Sequence, residues 1–186
     1  MEEDKFFKGK EFNKTSFEKM TFFNCVFDKC VFKESIFANA RFIECSFKRC
    51  YLQAVKLDHC RLQDVLFEES KIVTGEFHKC DKTFLSFQFI DCLLMGCNFS
   101  DLKIPSTNFF KSKIQDCYFN NTNLTNSNFQ QADLSRSVFH HVNLTKVNFT
   151  DAVNYSINPH VNILKNALLS TPEALSLLSF FDIKIN

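Results

Sequence analysis

The stretch Ser16–Phe42 reads SFEKMTFFNCVFDKCVFKESIFANARF and carries a phenylalanine at every fifth residue. The same apolar series runs unbroken from Phe12 to Phe77 and, after a step of seven residues, again from Phe84 to Phe149. Every position in both series is Phe, Leu or Ile, and together they hold 18 of the 25 phenylalanines. An internal repeat this regular constrains the fold more strongly than any local propensity.

A period of five fits neither regular element. Side chains of a strand alternate between two faces, so steps of five would send successive phenylalanines to opposite sides. Each residue of an α-helix advances by about 100°, so the same steps would spread them around the whole circumference. The chain must therefore bend once in each repeat, so that every fifth residue returns to a shared interior.

The position two before each central residue is mostly small, which predicts a second inward side chain beside each large one. The exceptions near the step of seven are Lys82, Phe87 and Leu102, where we expect a distorted coil. The three remaining positions of each repeat are mostly polar and are predicted to face water.

The nine cysteines follow the same repeat. Eight occupy the small inward position, and Cys80 fits if the first series continues for one more repeat. The C-x4-C spacing is thus a consequence of the repeat, unlike the C-x2-C spacing of zinc sites. A metal or redox site is the alternative, but free cysteine also behaves as a small buried hydrophobe. We interpret these thiols as core residues.

The sequence favours a non-enzymatic protein. His59, His78, His140 and His141 fall at outward positions, whereas the thiols point inward, so no thiol and base come within reach of each other. No phosphate-binding loop, nucleophile elbow or zinc-protease motif is present. We expect no catalytic, cofactor-binding or metal site.

Charge gives no sign of a nucleic-acid or membrane-surface binder. The chain has 22 basic and 21 acidic residues, and neither half is biased. Met1–Lys10 is charged and no apolar segment of signal-peptide type follows it. No run approaches the roughly 18 apolar residues of a membrane span. We expect a cytoplasmic protein that contacts neither membrane nor nucleic acid directly.

The segment NTNLTNSNFQQADLSRSVFHHVNLTKVNFTDA (Asn121–Ala152) resembles the pentapeptide-repeat family, whose consensus is A(D/N)LXX. The resemblance covers about residues 5–152. It implies an all-β fold, a right-handed quadrilateral parallel β-helix with four repeats in each coil. At roughly 4.8 Å between strands, seven complete coils would form a rod on the order of 35 Å long. Asn or Asp precedes the central residue at Asn98, Asn108, Asn123, Asn128, Asp133, Asn143 and Asn148.

The pattern predicts two regions. Residues 1–154 form the β-helix, with frames at 7–77 and 84–149 and a slip at 78–83. Residues 155–186 form a C-terminal segment with a short α-helix at about 172–181, in which Thr171 is the N-cap and Pro172 the first helical residue. A short strand is predicted at 183–185, and the charged residues 1–5 are expected to cap the other end.

The C-terminal segment is expected to cap the open end of the β-helix, which would otherwise expose unpaired backbone groups. It is apolar on most sides, which also indicates a homodimer. The tail resembles the C-terminal segment of quinolone-resistance (Qnr-like) pentapeptide proteins, which pair through this helix. The candidate dimer residues are Leu175, Leu178, Phe180, Phe181 and Ile183.

The resemblance to Qnr-like proteins implies a DNA mimic that occupies the DNA-binding site of a type II topoisomerase. Its partner would be DNA gyrase or topoisomerase IV, and it would modulate fluoroquinolone susceptibility. The alternative is a general protein-interaction scaffold. That hypothesis depends on outward apolar residues twenty apart, because exposed apolar patches often mark interaction sites. The candidate pairs are Phe23 with Ile43 and Ile90 with Phe110.

Overall fold

The strands stack as parallel coils. In this computed structural model, which describes residues 1–181 and 183, Phe22 pairs with Phe42 and Phe27 with Phe47 in register. The chain forms a β-solenoid of about eight turns, which confirms the predicted parallel β-helix. Because the register repeats every twenty residues and the chain bends every five, each coil has four faces.

Three faces of the solenoid carry sheets, with strand orders β1-β4-β7-β10, β2-β5-β8-β11-β13 and β3-β6-β9-β12-β14-β15, while β16 pairs with β17. The fourth face is held by isolated bridges such as that between Ser16 and Ile36. The strands are β1 (Glu2–Glu3), β2 (Phe6–Lys8), β3 (Glu11–Asn13), β4 (Thr21–Phe23), β5 (Val26–Asp28), β6 (Val31–Lys33), β7 (Arg41–Ile43), β8 (Ser46–Lys48), β9 (Tyr51–Gln53), β10 (Arg61–Gln63), β11 (Val65–Glu68), β12 (Lys71–Val73), β13 (Phe87–Ile90), β14 (Leu93–Met95), β15 (Lys113–Gln115), β16 (Asn148–Phe149) and β17 (Leu168–Leu169). Short 3₁₀ helices span Phe77–Lys79 and Glu173–Phe180.

The interior is filled by columns of stacked aromatic rings. Phe27, Phe47 and Phe67 are at most 2% exposed and lie above one another, as the five-residue period predicts. Successive ring centroids in this column are 4.6 to 5.4 Å apart, within the range of favourable stacking. The full column comprises Phe7, Phe27, Phe47, Phe67, Phe89, Phe109, Phe129 and Phe149.

The small inward residues do more than fill space. The Cys50 thiol donates a hydrogen bond to the carbonyl of Phe27 at 3.2 Å, and the Ser70 hydroxyl donates to that of Phe47 at 3.0 Å. Each donor lies 23 residues after its acceptor, so these bonds link consecutive coils. A small side chain with a donor therefore suits this position better than alanine, which explains why cysteine, serine and threonine recur there.

Each bend is built around a residue with a left-handed backbone. The residue two after the central position has a φ of 48 to 60° in almost every repeat, as at Lys29 and Arg49. Such a conformation costs an ordinary residue roughly 1–2 kcal/mol. Glycine, which avoids this cost, occupies the position only at Gly9 and Gly96 among the residues described. At the other bends, the buried rings and interstrand hydrogen bonds must offset this conformational cost.

The two halves of the rod bend differently. The N-terminal half has strands of three or four residues, whereas isolated bridges dominate from Asn98 onward. Where an Asn or Asp precedes the central residue in this half, its side chain accepts the N–H two residues later, as Asn123 does from Thr125 at 3.0 Å and Asp133 from Ser135 at 3.1 Å. These side-chain turns take the place of the short strands seen in the N-terminal half. The Asn and Asp residues of the repeat therefore determine the local backbone conformation in this half.

The frame shift overlaps the predicted 78–83 and extends a few residues beyond it. The Asp81 N–H still donates to the Cys60 carbonyl with ordinary spacing, whereas Val65 already pairs with Phe87, twenty-two residues later. The two extra residues therefore fall within 82–86. Phe84, predicted to begin the second inward series, is 57% exposed because the inserted residues leave the wall of the tube. The inward series resumes at Phe89.

Coil pairing extends beyond the predicted boundary at 154. Asn143 bridges to Ile163, and β16 pairs with β17, so the last coil ends at Leu169. The sequence did not reveal this coil because its first two central positions are Asn154 and Pro159, which are not apolar core residues of the Phe, Leu or Ile type. The small inward position nevertheless continues at Ile157, five residues after Ala152.

The C-terminal helix is present but is a 3₁₀ helix, where an α-helix was expected. Its Leu175 N–H donates to the Pro172 carbonyl, three residues earlier. Three residues per turn align positions three apart, and Leu177 on this helix packs against the core. Pro172, and not Thr171, occupies the N-cap, without a side-chain cap. The strand predicted at 183–185 lies mostly outside the described residues.

Candidate functional site

The predicted apolar pairs are neighbours in the structure. Phe23 and Ile43 are register partners in β4 and β7 and are both half-buried. Ile90 and Phe110 are also half-buried and occupy equivalent positions of consecutive coils, where the intervening Asp91 N–H donates to the Phe110 carbonyl at 2.9 Å. The two pairs lie on different faces of the rod, because β4 and β13 belong to different sheets. They form two small surfaces and not a single patch.

A further exposed pair was not predicted. Tyr118 and Val138 bridge to each other on the fourth face and are 46% and 40% exposed, more than any of the four predicted residues. Each directly precedes an inward phenylalanine, and they are twenty residues apart, so the repeat itself would have identified them.

The C-terminal end of the rod carries a concentration of exposed apolar side chains. Of the candidate dimer residues, Leu175, Phe181 and Ile183 are 54%, 42% and 55% exposed, whereas Leu178 and Phe180 are half-buried. The ring of His160 contacts that of Phe181 with centroids 4.9 Å apart, and its Nε2 lies 3.1 Å from the Phe180 carbonyl oxygen. These contacts anchor the segment to the last coil.

Two exposed residues of the last coil, Ile163 and Leu168, adjoin this end and were missed from the sequence. Leu168 belongs to β17, which pairs only with β16 among the described strands and so leaves one edge open. Apolar side chains beside an open strand edge favour association with another chain.

Several charges on the corners are neutralised from one coil to the next. Arg136 forms a two-pronged ion pair with Asp116, with both nitrogen–oxygen distances 2.7 Å, and Lys48 pairs with Glu68 at 3.1 Å. Arg49 pairs with the buried carboxylate of Asp28. These pairs tie consecutive coils together and remove net charge from the faces that carry them.

One corner keeps its negative charge. Asp4, Asn24, Glu44 and Asp64 lie at the same bend in four successive coils, and the Asn24 amide donates to the Asp4 carboxylate at 2.7 Å. None of the three carboxylates pairs with a lysine or arginine in the part of the chain that the structure describes. This acidic corner borders the Phe23–Ile43 pair.

Several of the buried thiols have a raised pKa. Burial raises the pKa of Cys45 to about 11 and those of Cys50 and Cys92 to about 12. These thiols are therefore protonated near neutral pH, whereas the thiolate is the reactive form. Across residues 1–181 and 183, no three His, Cys, Asp or Glu side chains are arranged to hold a metal ion.

None of the helices described is both long and apolar enough to cross a bilayer.

Two models of one sequence family match the chain. The model described as a pentapeptide repeat region matches residues 20–99, and the model described as pentapeptide repeats in eight copies matches residues 112–152. Together they cover more than half of the chain. The chain belongs to the pentapeptide-repeat family. The repeated Asn and Asp residues form its side-chain turns, and the repeated central phenylalanines form its stacked column.

Solved structures show the same fold as this pentapeptide-repeat chain. A trypsin-treated variant of QnrB1, a plasmid-mediated fluoroquinolone resistance protein, aligns with 100% of this chain and 99% of its own at a TM-score of 0.76 and 16% identity. HetL, a pentapeptide-repeat protein involved in heterocyst differentiation regulation in Nostoc sp. strain PCC 7120, aligns with 91% of this chain and 85% of its own at a TM-score of 0.51 and 12% identity. At these identities the likeness is one of fold. A search of curated protein sequences returned no match.

Proposed function

We propose that this chain is a non-enzymatic cytoplasmic protein that occupies the DNA-binding site of DNA gyrase or topoisomerase IV and so modulates fluoroquinolone susceptibility. The observation that supports the proposal most directly is the likeness in fold to QnrB1 over the whole length of both chains. About eight turns at roughly 4.8 Å each make a rod close to 40 Å long.

The acidic corner is the part of the surface best suited to this role. A DNA-binding site is built to hold a polyanion. The carboxylates of Asp4, Glu44 and Asp64, which form no ion pair among the described residues, make a negative row along the rod axis. Two other corners carry ion pairs, formed by Lys14 with Glu34, Arg136 with Asp116, and Arg49 with Asp28. We therefore expect the topoisomerase to contact this corner and the Phe23–Ile43 pair beside it.

A supercoiling assay with purified gyrase and ciprofloxacin tests the proposal. The chain at micromolar concentration should inhibit supercoiling or protect it from the drug, and Glu44→Lys with Asp64→Lys should abolish the effect. Glu69→Lys is the matched control, because Glu69 has the same bend conformation on another corner. If the parent chain affected neither gyrase nor topoisomerase IV, the proposal would be refuted.

The exposed apolar end supports a homodimer formed through the C-terminal segment. Leu175 and Phe181 would be buried against a second copy, together with Ile163 and Leu168 of the last coil. Light scattering after size exclusion should give twice the chain mass, and Leu175→Glu with Phe181→Glu should give a monomer. Val138→Glu, an exposed position on the side of the rod, should leave the dimer intact. A monomeric parent chain at high concentration would contradict the dimer.

A general interaction scaffold is the second candidate, favoured by the apolar pairs on the faces of the rod. Phe110 is half-buried beside Ile90, and Lys111 lies over its ring at 5.2 Å. Partners recovered from the native host should be lost with Phe110→Lys. Gln130→Lys, the equivalent position one coil later, is the control. An unchanged set of partners would exclude this surface.

A further inference from the structure

Two arginines lie side by side on neighbouring strands of the rod. Arg41 in β7 and Arg61 in β10 are direct register partners in consecutive coils. The chain has four arginines, and the other two, Arg49 and Arg136, form ion pairs with carboxylates of the preceding coil. Within the described residues neither Arg41 nor Arg61 forms such a pair. Like charges directly opposite each other on neighbouring strands are destabilising.

The inserted residues hold one of these arginines in place. The Arg61 guanidinium carbon lies 4.2 Å from the ring centroid of Phe84, the phenylalanine displaced from the interior by the frame shift. Stacking on an aromatic ring fixes the plane of a guanidinium and leaves its N–H groups directed sideways. The Nε of Arg61 is buried and has no hydrogen-bond partner in residues 1–181 and 183.

A surface pocket of about 270 Å³ opens at this point, lined by Asn39, Arg41, His59, Arg61 and Asp81. The Asp81 carboxylate accepts the Thr83 N–H at 3.0 Å, and its pKa is lowered by that bond and by the charges of Arg61 and His59. The pocket thus combines the guanidinium groups of Arg41 and Arg61 with one carboxylate, Asp81, which already accepts a hydrogen bond from Thr83. The Nε–H of Arg61, a residue that lines this pocket, is a donor without a partner among the described residues.

We propose that this pocket binds an oxyanion of the phosphate type, held by the guanidinium groups of Arg41 and Arg61 with Asn39 at its rim. An oxyanion between the two arginines would remove their repulsion and accept the free N–H of Arg61. Arginine suits this role because its planar fork matches the oxygens of a phosphate group. The site is separate from the acidic corner and from the C-terminal end.

The Nε–H signals of the arginines allow a direct test by NMR. With chloride replaced by inorganic phosphate at constant pH and ionic strength, the signals of Arg41 and Arg61 should shift in a saturable manner. Arg61→Gln should weaken phosphate binding by about tenfold or more, since it removes hydrogen bonds between two charged groups. Arg136→Gln, which removes an arginine already paired with Asp116, should leave phosphate binding unchanged.

Two further variants separate this site from non-specific attraction. Asp81→Asn removes the carboxylate that lines the pocket and should tighten phosphate binding, whereas Arg41→Gln should weaken it without disturbing the stacked Arg61. O-phosphoserine titrated in parallel distinguishes the source of the anion: tighter binding than inorganic phosphate indicates a phosphorylated side chain, and weaker binding indicates free phosphate. The proposal would be overturned if the Arg41 and Arg61 signals did not shift in either titration. It would also be overturned if Arg61→Gln and Arg136→Gln lowered the affinity for phosphate equally.

Discussion

Phe109 is the position at which the stacked interior can be tested most sharply. Its ring is fully buried, stacks on Phe89 at 5.4 Å and Phe129 at 4.6 Å, and meets Phe99 edge-on at 6.0 Å. Phe109→Ala loses about 2 kcal/mol of transfer free energy and leaves a cavity worth roughly 2 kcal/mol more. We expect the free energy of unfolding to fall by about 4 kcal/mol.

Phe110 provides the matched control, because it is the next residue but points outward and is half-buried. Phe110→Ala should cost less than about 1 kcal/mol, in line with surface substitutions. Both values can be measured by urea unfolding followed by circular dichroism, with unchanged slopes confirming a comparable transition. If both variants lowered the free energy of unfolding by the same amount, the assignment of inward and outward faces would be refuted. A second transition in Phe109→Ala would show that the two halves of the rod unfold separately.

Three further predictions concern the thiols and the bends. The cysteines should resist Ellman's reagent at about pH 8 in the native protein and react fully in denaturant, since burial raises the pKa of Cys45 to about 11 and of Cys92 to about 12; rapid native labelling would contradict their burial. Because the ordinary thiol pKa is 9.0 and only the unfolded chain ionises there, the contribution of these thiols to stability should be constant below about pH 9 and be lost toward about pH 11–12. A free energy of unfolding that rises between about pH 9 and 11 would contradict this sign. Ala54 has a φ of 50°, so Ala54→Gly should raise the free energy of unfolding by about 0.5–1 kcal/mol. Ala38 does not have a positive φ, so Ala38→Gly should lower the melting temperature.

The spacing of five predicted a chain that bends once in each repeat around a shared interior, and the resemblance to the pentapeptide-repeat family supplied the four repeats in each coil. The spacing was insufficient where local packing breaks it. Phe84 matches the pattern in composition, yet the two extra residues direct it outward. In the final coil the apolar series is interrupted at Asn154 and Pro159, although Ile157 and Leu164 keep its spacing.

The surface was less predictable than the interior. The twenty-residue coil implied by the family resemblance identified the pairing of Phe23 with Ile43, since residues twenty apart then stack. The pairing of Arg41 with Arg61 in neighbouring strands follows from the same rule, but the pocket beside these residues does not. That pocket depends on where the insertion places Phe84, and the direction of an inserted loop is not encoded in a periodic pattern. Likewise, exposed Ile163 became evident only once the last coil was located.

The coil-to-coil register has a consequence for length. Each coil contacts only its neighbours above and below, and residues twenty apart replace one another at every position of the wall. Duplication or deletion of a twenty-residue block in the middle of the rod should therefore change its length by one step of about 4.8 Å while both ends keep their structure. Molecules built in this way can be matched to the span of a partner by recombination of whole units, without redesign of either terminus.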